Sequence, residues 1–421
     1  LYSMRLGLLI CLVVLVTTVI ALSKSGKEQK IREEQEELRK EEIDRKKKQK
    51  QEKEDAANLI GLAMRNAGSE PLEFRPRALT KEFILDDHAE LADTPKKYPD
   101  MPTLAYITPW NNAGYDRAVR VADRLTHVAP VWLQLKPDPE EGCTVTGTHD
   151  IDQGWIERLR EANPKLKIVP RLIVEEFSPE ALQENSVNIY HILRSIKSII
   201  NIMQRNRFDG VVFEVWSTML RAAHQHKFDL ETAIESIGAW GKDLHKRGMQ
   251  IILPIMPPVD ANLRQVHAMW NDEYWKVLGD NVDFIQIMTH DYYSTDRSIR
   301  KFPQAPIRWV EQNLRATIGL HGEHANRVLL GLYHYGFRTD FGRQQQGAVM
   351  AKDFLEVLEN EDSVLEWDSE TQEHLLVLDK MQMYFPTVSS LELRTRLAFE
   401  YGAGVSVWDL GQGLEHFSRI L

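Results

Sequence analysis

The chain has 421 residues, 43% of them apolar, enough for one large domain or two average ones around a core that needs no covalent staples. A formal net charge of −10 argues against nucleic acid as the main partner, because phosphate binding needs a basic face. With Cys11 and Cys143 as the only cysteines, neither a disulfide framework within a domain nor a cysteine-based metal site can be built.

From Leu6 to Leu22 the chain is almost wholly apolar, apart from Thr17 and Thr18. Residues 1–23 read as a signal peptide cleaved after Ala21 or Ser23, or as an uncleaved signal anchor that just reaches spanning length. Either form directs the rest of the chain into the secretory pathway. The protein is then secreted or held in the lysosomal or endosomal lumen, with membrane contact only through an uncleaved leader. Residues 24–55 carry nearly balanced Lys, Arg, Glu and Asp with few apolar residues. They read as a solvated helical or disordered stalk; the alternative is a helix that docks a protein partner, such as a sorting receptor. Residues 56–99, with Pro71, Pro76, Pro95 and Pro99, read as a linker packing on the domain C-terminal to it.

From Leu104 onward short apolar runs alternate with amphipathic stretches. The runs are Leu104–Thr108, Val128–Leu135, Ile168–Val174, Gly210–Val215, Ile251–Met256, Phe284–Met288, Val328–Tyr333 and Gly404–Trp408. Asp116–Leu125, Ile189–Met203, Glu231–Arg247, Pro306–Thr317 and Ser390–Tyr401 have helical spacing. This order predicts an α/β chain, a (β/α)8 TIM barrel over residues 100–421. A small insertion of one helix and a hairpin is expected between the seventh and eighth strands. Pro254 is unusual inside a central strand and is read as marking a bulge.

Barrel sites lie at the C-terminal ends of the strands. Those ends bring Tyr106 and Trp110 from the first run, Arg171, Glu175 and Glu176 from the third, and Glu214 and Trp216 from the fourth. His290 and Asp291 come from the sixth, Tyr335 from the seventh, and Trp408 and Asp409 from the eighth. An aromatic rim with a few carboxylates suits saccharides, whose ring faces stack on aromatics while their hydroxyls seek polar groups. The remaining histidines supply no converging ligand set, so neither a metal site nor a cofactor is expected.

The fourth run, Asp209-Gly210-Val211-Val212-Phe213-Glu214-Val215-Trp216, resembles the signature strand of the chitinase-like glycoside hydrolases of family eighteen. Their pattern is Asp-Gly-x-Asp-x-Asp-x-Glu, with the last Glu as proton donor. Ala105–Trp110, Gln286–Asp291, Gly331–Gly336 and Gly404–Asp409 resemble that family's first, sixth, seventh and eighth strands, in the right order. The resemblance implies a barrel-top cleft for chitooligosaccharide-like or other N-acetylated glycans. Its lining residues are Tyr106, Trp110, Glu214, His290, Asp291, Tyr335 and Trp408, with Trp408 as floor of the central subsite.

The resemblance also implies lost chemistry. Active relatives protonate the glycosidic oxygen with the signature Glu, while the substrate's own acetamido oxygen attacks and an Asp and a Tyr hold that group. Here Trp216 takes the donor's place and His290 that of the Tyr. On an extended strand Val212, Glu214 and Trp216 share the inward face, which leaves Glu214 two residues deeper, roughly 6–7 Å from the donor position. Glu214 then reads as a hydrogen-bonded core carboxylate, pairing with Asp291, or as a sugar contact. The expected function is a glycan-binding barrel without turnover. The alternatives are an atypical hydrolase with Glu175 or Glu214 as a displaced acid, and a protein-interaction scaffold.

Overall fold

In the computed structural model the described residues are 79–421, apart from 139, 141, 179–180, 182–188, 225–229, 293–300 and 320, together with Lys40. The leader, the stalk and most of the linker lie outside the described residues. Among the described residues no helix is long and apolar enough to cross a membrane.

β-Branched and apolar runs bounded by polar helices give parallel strands buried on both faces. β1 (Thr103–Ile107) pairs with β2 (His127–Pro130), which pairs with β5 (Lys167–Ile168). After a break at Val131–Trp132 the chain resumes as β3 (Leu133–Asp138), which pairs with β6 (Arg171–Val174) and, antiparallel, with β4 (Gly142–Thr146). β6 itself resumes β5 after a break at Val169–Pro170. The circuit continues through β7 (Gly210–Glu214), β8 (Gln250–Ile255), β9 (Phe284–Ile287), β10 (Val328–Tyr333) and β16 (Gly404–Trp408), which returns to β1. The barrel expected from the sequence is present in outline, with its second and third strands each split in two.

Gly210 opens β7 because a Cβ there would stand 2.2 Å from the Gln250 carbonyl oxygen of β8. β8 runs through Pro254 in continuous register with β9, so the expected bulge is absent. The register with β7 ends at Ile252, so Pro254 lies beyond that ladder and its missing N–H breaks no bond of it.

α2 (Ala113–Arg120), α3 (Gln153–Ala162), α4 (Ile189–Arg205), α6 (Leu230–His245), α8 (Ile307–Ile318) and α10 (Val388–Glu400) surround the strands in chain order. Ahead of them α1 (Lys81–Asp87) packs on the same unit, where Asp87 takes a two-point ion pair from Arg419. α3 is not among the helices expected from the sequence, nor are the short helices α5 (Trp216–His224) and α7 (Asp272–Leu278). Between β10 and β16 lies more than a helix and a hairpin. α9 (Ala351–Leu358) accompanies a five-stranded antiparallel sheet of β11 (Gly336–Asp340), β12 (Gln345–Val349), β13 (Val364–Asp368), β14 (Glu373–Leu378) and β15 (Met381–Phe385). The polar alternation of β11 and β12 offers no long apolar run by which to find them.

The barrel interior is a small apolar plug of Leu104, Tyr106, Ala129, Val131, Val169, Val212, Ile252 and Leu329, with Phe284 and Trp408 packed on it. Outside the strands a larger core holds Trp132, Trp155, Trp216, Trp270 and Trp275. Among the described residues four histidines are buried, and burial depresses their basicity: His127, His374 and His416 fall to about 4 and His334 to about 3. The unfolded chain protonates such rings near pH 6.5 and the folded chain does so only at or below about 4. Folding therefore loses stability as pH falls through that window. Glu373 and Asp409, whose carboxyls burial pushes up, oppose the trend in its lower part. We expect the melting temperature to drop by about 5 °C or more between about pH 7 and about pH 5. A flat profile in differential scanning calorimetry would mean that the four rings titrate normally.

Candidate functional site

β7 places its side chains alternately. Val212 enters the barrel plug and Phe213 stacks outward on Trp240. Glu214 is the last residue of the strand, and its carboxylate reaches the neighbouring strand rather than Asp291. Arg171 Nε on β6 donates to Glu214 Oε2 at 2.5 Å. The expected Glu214–Asp291 pair is therefore replaced by an ion pair.

Trp216 is also not where strand alternation puts it. The chain turns at Val215, whose carbonyl accepts from Thr218 and Met219 N–H, and Trp216 opens α5. The indole is fully buried, packs on Trp270 and Tyr274, and donates its Nε1 hydrogen to the Met269 carbonyl at 2.9 Å. It occupies the outer core and does not fill the cleft above Glu214. Period-two counting fails here because it holds only while the backbone stays extended.

On the inner face Tyr106 and Trp408 meet at a ring-centroid distance of 5.2 Å, and the Arg171 guanidinium carbon lies 5.8 Å from the Trp408 ring centre. Tyr106 donates its hydroxyl to Gln286 Oε1 at 3.2 Å. Burial, reinforced by Glu214, pushes the Tyr106 phenol far above its ordinary range, so it stays a neutral donor. Trp110, in the turn after β1, is 63% exposed and makes no ring or hydrogen-bond contact with the other site residues among those described. Its turn is nonetheless fixed. Asp409 accepts from Thr108 Oγ1 at 2.7 Å and from Asn111 Nδ2 at 2.8 Å, tying the end of β16 to the loop after β1. Asp409 is wholly buried and serves this tie.

A second group forms at the ends of β9 and β10. Tyr335 donates its hydroxyl to Asp291 Oδ1, and His290 Nδ1 lies 3.2 Å from Asp291 Oδ2. Asp291 has left-handed backbone, φ 56, which Asp tolerates better than most residues and which turns its carboxylate toward both partners. Partial desolvation pushes its carboxyl up, but the His290 and Tyr335 interactions prevail and leave it below the usual aspartate value. Tyr335 is raised, by burial first and then by Asp291. Beneath it Tyr333 is buried and bonded to Glu373 of the inserted sheet.

Beside Glu214 opens a cavity of 510 Å3 lined by Ile173, Val174, Glu175, Glu176, Phe177, Ser217, Thr218, Arg221 and Ala222. Glu176, in left-handed backbone at φ 63, reaches outward to Lys136 at 2.6 Å. Another cavity, 540 Å3, lies at the opposite end of the barrel around Pro102, His127 and Phe284. Among the described residues no cluster of His, Cys, Asp and Glu is arranged to hold a metal ion. The structure thus joins Tyr106, Trp408 and Glu214 through Arg171, and joins His290, Asp291 and Tyr335 to one another. Sequence spacing does not single out Gln286, and it marks Arg171 only as a strand end. The signal for Arg171 is a charged residue on the inward register of an apolar strand, one strand from Glu214.

The family model for glycosyl hydrolases family 18 matches residues 102–413. Among solved structures, a chitinase from Chromobacterium violaceum superposes with a TM-score of 0.60 at 20% identity, covering 76% of this chain and 97% of that one. The spore cortex-lytic enzyme SleL of Bacillus cereus gives 0.55 at 16% identity, covering 76% of this chain and 73% of its own. A GH18 chitinase from Cycas revoluta, solved in complex with (GlcNAc)3, gives 0.55 at 11% identity, with coverages of 74% and 95%. At these identities the likeness is one of fold.

Because Trp216 is a core residue, Trp216→Ala should cost about 3–5 kcal/mol of stability. Chemical denaturation checks this. A loss below about 1 kcal/mol would mean that the indole is not packed as described.

Proposed function

The chain belongs to glycosyl hydrolases family 18, and we propose that it binds chitooligosaccharide-like, N-acetylated glycans in the barrel-top cleft without hydrolysing them. The observation that carries this reading is the state of the two residues at the top of β7. Glu214 is engaged by Arg171, and Trp216 faces away into the core. A general acid must come within about 3 Å of the leaving oxygen, and neither residue offers a free carboxyl there. The binding parts remain. Trp408 and Tyr106 give an aromatic floor, Trp110 an exposed ring, and the Asp291–Tyr335 pair polar groups beside His290, which takes the place of the family's acetamido-holding Tyr.

A second reading, an atypical hydrolase with a displaced acid, draws support from Glu175 and Glu176, which line the same cavity as Glu214. Turnover separates the two. The full chain should release no product from chitooligosaccharides in a reducing-end assay. Product formation that Glu214→Gln or Glu175→Gln abolishes in a folded protein would establish the second reading.

Trp408→Ala should weaken chitooligosaccharide binding about tenfold, on the order of 1.4 kcal/mol, because it removes the broadest stacking face. Tyr106 and Arg171 also rest on this ring, so calorimetric binding should be read beside a melting curve. Unchanged affinity in a folded Trp408→Ala protein would place the sugar elsewhere.

Two finer statements belong to this proposal. Within the family, Val131–Lys136, Val169–Leu172, Glu214–Trp216 and Leu410–Gly413 resemble the chitinase-domain-containing proteins. The apolar leader at 1–23 directs the barrel to the secretory pathway, and resistance of the native protein to alkaline carbonate extraction from membranes tests whether that leader is retained.

A further inference from the structure

We propose that the cleft selects saccharides carrying a carboxylate on the sugar that meets Trp408, and that Arg171 is the residue that reads it. This rests on the saccharide-binding function proposed for the cleft and narrows its ligand class.

Arg171 stands on the inward face of β6 with its side chain only 13% exposed. Its Nε is taken by Glu214, while Nη1 and Nη2 make no hydrogen bond with any described residue. A guanidinium carries five N–H donors in a fixed fork, and at Arg171 the terminal nitrogens keep access to solvent, which leaves them open to an acceptor from a ligand. One buried fork in the protein is filled. Arg394, buried behind the inserted sheet, spends its nitrogens on the carbonyls of Ala305, Thr371, Gln372 and Ser390. At Arg171 the terminal pair is left open, against the ring that offers the stacking floor.

A planar fork with two adjacent free nitrogens matches a carboxylate in two-point contact better than it matches a lone hydroxyl. Glu214 has a double role: it fixes the fork through Nε, and its charge sets a repulsion that the two-point contact must exceed. Arg221, lining the adjoining cavity with Glu175 and Glu214, offsets part of the acidic charge there. The carboxylate could be a uronic acid on the sugar ring or a lactyl ether attached to it, since both present the same planar group.

Calorimetric titration of the full chain with three tetrasaccharides tests this: chitotetraose, a hyaluronan tetrasaccharide with ring carboxylates, and an N-acetylglucosamine–N-acetylmuramic acid tetrasaccharide with lactyl carboxylates. At least one acidic probe should bind about tenfold or more tighter than chitotetraose, and which one does so identifies the source of the carboxylate. Arg171→Gln should abolish that preference, so that the acidic probe and chitotetraose bind alike, Arg171→Lys should restore part of it, and Glu214→Gln should strengthen the acidic probe. Should Arg171→Gln not fold, the Arg171→Gln/Glu214→Gln double variant removes both charges at once, and in the folded state it should show no preference. Chitotetraose binding as tightly as both acidic probes, or a preference that survives either the Arg171→Gln or the double variant, overturns the proposal and leaves the binding function standing. No binding of any of the three overturns both.

Discussion

A charge inside a curled ring of parallel strands must find its partner inside that ring, and the Arg171–Glu214 pair meets this condition. Below it the barrel is filled by apolar side chains such as Val212, Ile252 and Leu329. At its level the interior becomes polar, with the Tyr106–Gln286 hydrogen bond and the edge of Trp408. Removing either partner of such a pair strands the other in a poorly solvated place, a loss larger than the pair's own net gain. The pair therefore sets where the core stops and where a cleft can begin. It also leaves Glu214 oriented by a guanidinium from the side.

The rest of the cleft is held from outside the ring. Asp409 draws the loop after β1 onto the end of β16, which fixes the turn that carries the exposed Trp110. Tyr335 lies two residues beyond Tyr333, and the bond from Tyr333 to Glu373 anchors that stretch to the inserted sheet. The Asp291–Tyr335 contact thus inherits its geometry from a network lying well below the surface. Rigid elements hold the polar groups, and the aromatic floor sits on a packed core. Such a site arrives preformed for its ligand.

Much of this is legible in the sequence. The runs Val328–Tyr333 and Gly404–Trp408 coincide with β10 and β16, because strands buried on both faces declare themselves as unbroken apolar segments. The splits at Val131–Trp132 and Val169–Pro170 are not legible, since those segments stay apolar while their pairing changes neighbour. The expected inward placement of Trp216 extends strand periodicity by two residues into a helix. The helical spacing of Trp216, Met219 and Ala222, all buried, is the contrary signal. Arg171 is visible as a residue, but its meaning depends on Glu214 standing on the adjacent strand. That is tertiary information. Of the insertion, the helix α9 and the hairpin β13–β14 are legible as apolar runs, whereas β11 and β12 escape because their residues are largely polar and, in β12, exposed.

The bond between Tyr333 and Glu373 makes the inserted sheet inseparable from the barrel. Glu373 accepts from the backbone N–H groups of Gln304 and Ala305 as well as from the phenol, and Arg394 clasps carbonyls on both sides of the junction. Excising residues 336–385 would leave a phenol, a guanidinium and two amides facing a vacated interior. The sheet is accordingly part of one cooperative folding unit, and a chain shortened there would be a folding defect and not a smaller binding protein.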